Sequence, residues 1–234
     1  MKKIFRSLLR FLRWTVGLFF GSTVLAVILF KFAPVHVTPL MVLRLFQNDE
    51  LKLEHQWVPL SEISPQMPLA VMGGEDAHFL EHNGFDFEAI GKAVERNREH
   101  PEKNRIGAST ITQQTAKNVF LWPGRSWVRK GLEAYFTVLI ELFWSKDRIM
   151  EVYLNSIETG TGIYGVEAVA REHFGCPAKK LTAAQCALIA ATLPNPRRFS
   201  SKQPSSYVQR RQKQILREMK YLETHIGEMK QDRD

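Results

Sequence analysis

Four polar clusters in the chain carry side chains that can move a proton or hold an anion. They occupy residues 73–86, 107–118, 125–133 and 146–165. The first has four acids and two histidines, and the third combines three bases with one acid. A carboxylate can accept a proton from a hydroxyl group, and Lys and Arg side chains can hold phosphate oxygens. These residue types therefore predict acid–base chemistry next to a bound anion.

Glu75 is the candidate general base of the first cluster. It follows Gly73 and Gly74, precedes Asp76, and has Phe79 close by in the sequence. Partial burial would raise the pKa of its carboxyl group toward neutrality, and a nearby Asp76 would act in the same direction. From the residues alone, the alternative is an acid at a helix N-terminus that the helix dipole stabilises.

Basic side chains lie in the second and third clusters. They are Lys117, Arg125, Arg129 and Lys130. Arg holds phosphate oxygens with two parallel N–H groups, whereas Lys acts as a point charge. The alternative is an ordinary ion pair on one helix, because Glu133 lies four residues after Arg129 and three after Lys130.

Residues 78–82 also match the H-x-x-E-H signature of inverted zinc metallopeptidases. His78 and His82 on one helical turn could share a zinc ion, with Glu81 as the base. Glycines on both sides limit such a helix to about two turns, and five-residue matches are common by chance. We therefore favour local hydrogen bonding of both histidines and predict no metal site.

In the order and spacing of its clusters, the chain resembles the peptidoglycan glycosyltransferases of glycosyltransferase family 51. The first cluster fits the E-D-x-x-F-x-x-H-x-G-x-D motif of that family, and the second fits G-x-S-T-I-T-Q-Q. The third fits R-K-x-x-E, and the fourth fits K-x-x-I-x-x-x-Y-L-N. The likeness covers roughly residues 55–215. His173, Cys176 and Gln185 depart from the residues common in the family, outside its first three motifs.

The resemblance implies a role for each matched residue. Glu75 is implied as the general base, and Glu133 as a second essential acid that orients the bases and the donor. Gln114, Lys117, Arg125 and Lys130 are implied as contacts of a pyrophosphate. The other matched positions are expected to support the site: Asp76, Phe79, His82, Gly84, Asp86, Ser109, Thr110, Thr112, Gln113, Arg129, Tyr153 and Asn155.

The resemblance also implies a reaction. Family members polymerise lipid II, a disaccharide-pentapeptide on undecaprenyl pyrophosphate, into β-1,4 glycan strands by one inverting displacement. No cofactor is expected, although a divalent cation such as Mg²⁺ could assist. The expected partners are lipid II, the growing glycan chain, the lipid bilayer and other cell wall synthesis proteins. The chain contains no Ser-x-x-Lys and no Lys-Thr-Gly transpeptidase motif, so it resembles the monofunctional members.

Two other classes of function stay open at this point. A lysozyme-like hydrolase cleaves the same polymer with water and also uses a glutamate as acid. A hydrolase has no pyrophosphate to hold, so Lys117, Arg125 and Lys130 favour a transferase. In a non-catalytic membrane scaffold, the acids would be replaceable.

Helix signals dominate the chain after residue 70 and predict a mainly α domain, and the resemblance implies that its fold is similar to that of lysozyme. Helices are predicted to begin at Asp86, Thr110, Ser126, Ser145, Gly165 and Thr182, and a last one carries an apolar stripe over 208–226. Thr110 with Gln113 and Thr182 with Gln185 have the spacing of capping boxes. The proline-rich residues 34–70 predict a connector with short extended pieces, and the polar residues 95–105 predict a mobile loop.

The net charge of +8 is concentrated at the two ends of the chain. Residues 1–13 carry five bases and no acid, and residues 200–234 carry eight bases and five acids, so the remainder is neutral. A nucleic-acid-binding protein more often spreads basic charge over a folded face. We therefore predict no nucleic-acid partner.

One membrane-spanning helix is predicted over residues 14–33. Residues 14–30 carry no charge, and a helix over 14–33 is about 30 Å long, the thickness of a bilayer core. The preceding bases predict a cytoplasmic tail at 1–13 and an extracytoplasmic domain at 34–234, on the periplasmic side of the inner membrane. A cleaved signal peptide is the alternative, but the apolar run is long and no small-x-small site precedes Pro34.

An apolar patch adjoins the basic cluster. It consists of Phe120, Leu121, Trp122, Pro123 and Trp127. These residues either pack into the core or form an edge that dips into the membrane, since Trp favours the membrane interface. The pairing of Cys176 with Cys186 is equally open, because spacing alone does not decide it.

Overall fold

The computed structural model describes residues 2–46, 53–102, 107–124 and 126–231. Its helices in this part of the chain are α1 (Lys2–Phe32), α2 (Pro39–Leu45), α3 (Gln66–Glu75), α4 (Phe87–Glu99), α5 (Ile111–Phe120), α6 (Trp127–Phe143), α7 (Lys146–Ser156), α8 (Val166–Phe174), α9 (Ala183–Thr192) and α10 (Ser206–Gln231). Three short strands, β1 (Glu54–His55), β2 (Glu158–Gly160) and β3 (Ile163–Tyr164), form a sheet in the order β1-β3-β2. Strand β1 is parallel to β3, and β2 is antiparallel to it. The predicted mainly α fold class is confirmed.

Local capping chemistry sets where most of these helices begin. Backbone N–H groups in the first turns of α4, α5, α6, α7 and α9 donate to the side chains of Asp86, Thr110, Ser126, Ser145 and Thr182. Thr110 and Thr182 complete capping boxes with Gln113 and Gln185. Each cap satisfies N–H groups that the helix leaves unpaired and contributes about 1 kcal/mol. The predicted starts of these five helices are confirmed.

Two segments predicted as loops contain more helix than their composition indicated. The connector over 34–70 includes α2, where the N–H group of Met41 donates to the Thr38 side chain, and the first turn of α3. Pro39 begins α2, where its missing N–H group is not needed. Helix α4 ends at Glu99, as predicted for the helix that begins at Asp86, so the loop predicted over the overlapping residues 95–105 is wrong in its first part. Residues 103–106 lie outside the described residues.

Helices α3, α9 and α10 pack against one another in the core. Two glycines allow α3 and α10 to approach closely. A Cβ atom on Gly73 would lie 2.9 Å from Cβ of Glu218, and one on Gly74 would lie 3.3 Å from Cδ1 of Ile215. A side chain at Gly73 would require α10 to shift, and one at Gly74 would crowd the end of the Ile215 side chain, so these glycines permit the close position of α10 beside the end of α3.

Helix α10 buries the predicted apolar stripe, and α5 packs between α6 and α7 in a second group of helices. The buried members of the stripe are Val208, Ile215, Met219 and Leu222. Cys176 and Cys186 are free thiols, so the question of their pairing is answered in the negative. Burial raises the pKa of Cys186 to about 12, as expected of a thiol inside an apolar core.

Helix α1 is long and apolar enough to cross a membrane over Lys3–Phe32. The helix begins at Lys2, so the basic segment predicted as a separate tail continues it. Near its other end the helix contacts the domain. The Nε1–H group of Trp144 donates to the Val27 carbonyl at 2.8 Å, and Arg148 donates to two further carbonyls there. Cleavage after this helix would remove these contacts, which favours a retained anchor over a signal peptide.

Candidate active site

Glu75 is the last residue of α3. The helix ends here because Asp76 leaves the helical region, with φ −162° and ψ 80°. The alternative that placed Glu75 at a helix N-terminus is therefore wrong. At a C-terminal end, the helix dipole opposes rather than favours the ionised carboxylate.

Burial raises the pKa of Glu75, and the charge of Asp76 acts in the same direction. Three neighbours act against this effect. The Nε2 group of Gln114 donates to Oε2 of Glu75 at 2.9 Å, and Arg211 and Lys117 contribute positive charge. Desolvation is the largest of these effects, so the pKa lies above the ordinary carboxyl value, as the sequence predicted. A carboxylate of this kind is suited to accept a proton near neutral pH.

Gln114 is held in one orientation by Tyr153. The hydroxyl group of Tyr153 donates to Oε1 of Gln114 at 3.3 Å, which leaves the amide NH₂ group facing Glu75. Tyr153 lies on α7 and is fully buried, so its ring has little freedom to move. The resemblance implied that Gln114 contacts pyrophosphate, whereas the structure shows its NH₂ group on the candidate base.

Asp76 ties three segments together beneath the site. Its carboxylate accepts from the Nε2–H group of His82 at 2.9 and 3.1 Å, and from the backbone N–H of Ile111 at 2.9 Å. The other ring nitrogen of His82 accepts from the N–H group of Gly84 at 3.2 Å. Asp76 and His82 therefore position the start of α5 relative to the end of α3.

The zinc alternative finds no support in the geometry. Residues 77–81 form turns rather than a helix. Both ring nitrogens of His82 are engaged, and Nδ1 of His78 lies 3.1 Å from a carboxylate oxygen of Asp86, whose hydrogen bond raises the pKa of His78. In the described part of the chain, no three His, Cys, Asp or Glu side chains are grouped so that they could hold a metal ion.

Several other matched residues support the walls of the site. Gly84 has a φ of +86°, and a Cβ atom there would lie 2.7 Å from Cγ2 of Thr137. The Thr110 hydroxyl donates to the Gly84 carbonyl at 2.7 Å, and the Thr112 hydroxyl donates to Glu141 at 2.6 Å. These contacts explain the residue types without a chemical role.

Phe79 and Lys146 close the same wall from the other side. Phe79 is buried, and Nζ of Lys146 lies 4.6 Å from the centre of its ring. Nζ also donates to the His82 carbonyl at 2.6 Å and to Glu141 at 2.9 Å. Lys146, which opens the fourth cluster, is thus fully engaged in holding the turn over 77–84.

Glu133 is the second candidate acid of the site. It lies on α6 and is only 3% exposed. Arg129 donates to its Oε2 at 2.7 Å, and Lys130 donates to its Oε1. Nζ of Lys130 also lies 3.5 Å from the Ser109 hydroxyl. Arg129 and Lys130 have the spacing of ordinary helical ion pairs with Glu133. Unlike the carboxylate of a surface ion pair, however, that of Glu133 is buried.

Two clefts meet at the hydrogen bond between Glu75 and Gln114. The larger, of about 440 Å³, has a polar wall formed by Arg44, Gln114, Lys117, Asn118, Arg129 and Glu158. The smaller, of about 210 Å³, is lined by Glu75, Asp76, Ser109 and Thr110 among others. Burial lowers the pKa of Lys117, and the carboxylates of Glu133 and Glu75 raise it. The candidate base thus lines the smaller cleft, and its hydrogen-bond partner Gln114 lines the larger one, whose wall carries Lys117 and Arg129.

Not every predicted residue is part of this arrangement. Arg125 lies outside the described residues. The amide of Asn155 exchanges hydrogen bonds with the backbone N–H and carbonyl of Val58, at 3.0 and 2.9 Å, and thereby fixes the chain before α3. Sequence reasoning missed Arg211, whose Nη2 group donates to the Gly74 carbonyl at 2.7 Å. It also missed Arg44 and Glu158, which no motif marks.

The apolar patch divides between core and surface. Phe120 stacks on Phe136 with ring centres 4.6 Å apart, and Leu121 is 2% exposed, so the core interpretation is right for these two. Trp122 and Trp127 are 43% and 92% exposed. The outer face of α6 continues this surface with exposed Val128, Val138 and Leu142. All four charged residues of α6 appear instead at the site: Arg129, Lys130, Glu133 and Glu141.

Comparisons with known proteins agree with one another. A family model described as transglycosylase matches residues 44–220. A protein of Bacteroides thetaiotaomicron is 59% identical over 218 residues, which cover 92% of this chain and 87% of the relative. A relative from Caulobacter vibrioides is 56% identical, and the match covers 92% of this chain and 93% of the relative. A relative from Pseudomonas fluorescens is 47% identical, and the match covers 95% of this chain and 92% of the relative. All three are named biosynthetic peptidoglycan transglycosylase.

Proposed function

The chain belongs to the transglycosylase family, and from this premise we propose that it polymerises lipid II into β-1,4 glycan strands in cell wall synthesis. One observation carries the proposal. A carboxyl group with a raised pKa, Glu75, is hydrogen-bonded to Gln114 at the edge of a cleft whose walls carry Lys117 and Arg129. Such a site offers a proton acceptor next to positive charge, which is what the reaction requires.

The reaction joins the hydroxyl oxygen of an acceptor sugar to the anomeric carbon of a donor. Glu75 takes the hydroxyl proton as the new C–O bond forms. The bond from the anomeric carbon to the pyrophosphate breaks, and undecaprenyl pyrophosphate leaves with the electron pair. Lys117, with Arg125 and Lys130, stabilises the charge that develops on the leaving group. Attack from the face opposite the pyrophosphate converts the α-linked donor into a β-linked product.

Glu133 acts in this scheme through its bases. Its carboxylate holds Arg129 and Lys130 on the side of α6 that faces the site. Its charge also favours the protonated form of Lys117, which burial would otherwise disfavour. A fixed negative charge below three cations keeps them oriented before substrate binds, and we propose that this is its role rather than proton transfer.

We further propose that the protein is anchored in the inner membrane by α1, with its N-terminus in the cytoplasm and its catalytic domain on the periplasmic side. The bases before the apolar run support this orientation. The exposed apolar face of α6 supports contact with the bilayer, from which a lipid-linked substrate would enter the cleft.

This orientation can be tested in two ways. Protease added to spheroplasts is expected to digest the domain and spare an N-terminal tag. In vesicles of brominated lipid, Trp127→Phe is expected to lower the quenched fraction of the fluorescence, whereas Trp57→Phe, which removes an emitter away from that face, is expected to raise it. Equal changes in both variants would contradict contact between the face of α6 and the lipid.

The direct test of the function is incubation of the purified full chain with labelled lipid II. We expect polymer on a gel, equimolar release of undecaprenyl pyrophosphate, and complete digestion of the product by a muramidase specific for β-1,4 linkages. Cleavage of preformed glycan without polymer would indicate a hydrolase instead. We propose that no cofactor is required, and parallel reactions with EDTA and with Mg²⁺ measure whether a divalent cation assists.

A further inference from the structure

Arg211 on α10 reaches the end of α3 immediately before Glu75. Its Nη2 group donates to the Gly74 carbonyl at 2.7 Å, and its Nη1 group donates to Oε1 of Gln214 at 2.9 Å. The last carbonyls of a helix have no partner within the helix. Arg211 therefore supplies a charged donor at the end of α3 where Glu75 lies.

The contact depends on the two glycines before Glu75. As described above, Cβ atoms on Gly73 and Gly74 would lie within 3.3 Å of atoms of α10. The pair permits the close approach of the two helices that brings the Arg211 guanidinium group to the Gly74 carbonyl. The sequence Gly-Gly-Glu is thus explained as a docking site for α10 followed by the proposed base.

We infer that Arg211 is a positioning residue for the proposed general base: it fixes the backbone before Glu75 and places a positive charge behind its carboxylate. The inference rests on the proposed function, because it assumes that Glu75 accepts the proton. It concerns a residue on the last helix, outside all four motifs.

Three charged groups act on Glu75: Asp76 beside it, Lys117 on α5 and Arg211 on α10. Its uncharged polar neighbours are Gln114 and Tyr153. Asp76 and the end of α3 oppose the ionised carboxylate, and the two cations favour it. Of these cations, Arg211 has the larger effect on the pKa of Glu75.

The two cations differ in what substrate binding does to them. Lys117 lines the larger cleft, where a bound pyrophosphate would neutralise its charge. Arg211 lies behind Glu75 and outside the described linings of both clefts. Its charge therefore continues to act on Glu75 throughout turnover, which keeps the carboxylate ionised when the acceptor hydroxyl arrives.

The test is the pH profile of kcat/KM for lipid II polymerisation by the full chain, measured from about pH 5 to pH 9, because its acid limb reports the essential base. Arg211→Gln keeps a donor and removes the charge, and Arg211→Lys keeps the charge. Arg210→Gln, at the exposed neighbouring position, removes the same charge at a distance from Glu75. Each profile is divided by its own plateau value. We then expect the kcat/KM of Arg211→Gln at the acid end to lie about threefold or more below that of the wild type.

Arg211→Lys and Arg210→Gln are expected to keep the wild-type acid limb. A wild-type limb in folded Arg211→Gln, or an equal shift in Arg211→Lys, would overturn the inference. Should Arg211→Gln fail to fold, Gln214→Glu at an exposed position places a negative charge on the guanidinium group and is expected to move the limb in the same direction. An unmoved limb there also overturns it. Full polymerising activity of Glu75→Gln would instead refute the role of Glu75 as the base, and absence of polymer from the wild-type chain would refute the proposed function, so these failures are distinguishable.

Discussion

Glu75 and Glu133 are two glutamates of one site, and their surroundings are opposite. Glu75 ends a helix and receives a side-chain hydrogen bond from an uncharged amide, that of Gln114. Glu133 lies within a helix and receives donors from Arg129 and Lys130. Burial raises the pKa of Glu75, and the cations near it compensate only in part.

The comparison shows how one residue type takes two roles. A base must hold a proton during part of the reaction, so its charged form cannot be overstabilised. An anchor for cations must keep its charge, so it needs donors on both oxygens. The environment of each carboxylate, rather than its presence in a motif, therefore indicates its role. Variants of Glu75 and Glu133 test whether the two roles differ.

The largest expected effect is that of Glu75→Gln on turnover. Gln has nearly the same shape but cannot accept the proton, so kcat is expected to fall by about 10³-fold while the fold is retained. Lipid II polymerisation by the full chain measures this loss. Glu62→Gln is the matched control, because that acid lies in an exposed pair with Lys179. A Glu75→Gln variant that polymerises at the wild-type rate would show that Glu75 is not the base.

Glu133→Gln is expected to cost less activity and more stability. It leaves Arg129 and Lys130 without their carboxylate, so kcat/KM is expected to fall by about 10²-fold as the cations lose their orientation. The unpaired donors are expected to cost about 1–3 kcal/mol of unfolding free energy, seen as a lower Tm in detergent. Retained Tm together with lost activity would instead point to a direct chemical role for Glu133.

Local chemistry made much of this fold predictable. Asp86, Thr110 and Ser126 cap helices through bonds to residues three positions away, and such bonds can be read from spacing alone. Motif resemblance in turn marked both acids. Neither source of information depends on how distant parts of the chain meet.

The features that the sequence did not predict depend on contacts between distant residues. Gly73 and Gly74 lie inside α3, although such a pair normally disfavours a helix, because α10 packs onto them. Arg211 meets Gly74 across 137 positions, and no pattern in α10 marks this arginine among its other bases. The position of Glu75 at the end of a helix follows from the backbone conformation of Asp76, whose side-chain carboxylate is held by His82 and α5.

Tyr153→Phe tests the surroundings of Glu75 and leaves those of Glu133 unchanged. Without the hydroxyl group, the Gln114 amide loses the bond that keeps its NH₂ group facing Glu75, so kcat is expected to fall about 3- to 10-fold, as for loss of one hydrogen bond. Exposed Tyr221→Phe is the control. The same substitution is then made in the Glu75→Gln variant. If Tyr153→Phe lowers kcat there by the same factor as in the wild type, Tyr153 does not act through the base.

The smallest expected effect is on stability, and its sign differs between the two acids. Because the pKa of Glu75 is raised in the folded protein, Glu75 favours folding most below its unfolded pKa, and this contribution is lost as the pH rises through the folded pKa. Glu75→Gln, always neutral, avoids that loss. Its Tm is therefore expected to exceed the wild-type Tm by up to about 3 °C at pH 8, with the difference shrinking as the pH falls.

Glu133→Gln is expected to lower Tm under the same conditions, since it removes a paired charge rather than an unfavourable one. Glu62→Gln is expected to leave Tm nearly unchanged across the pH range, because its surface pair contributes little. A Glu75→Gln variant less stable than the wild type at pH 8 would mean that its carboxylate is held as firmly as that of Glu133. The distinction between a base and an anchor would then have to come from the bound substrate.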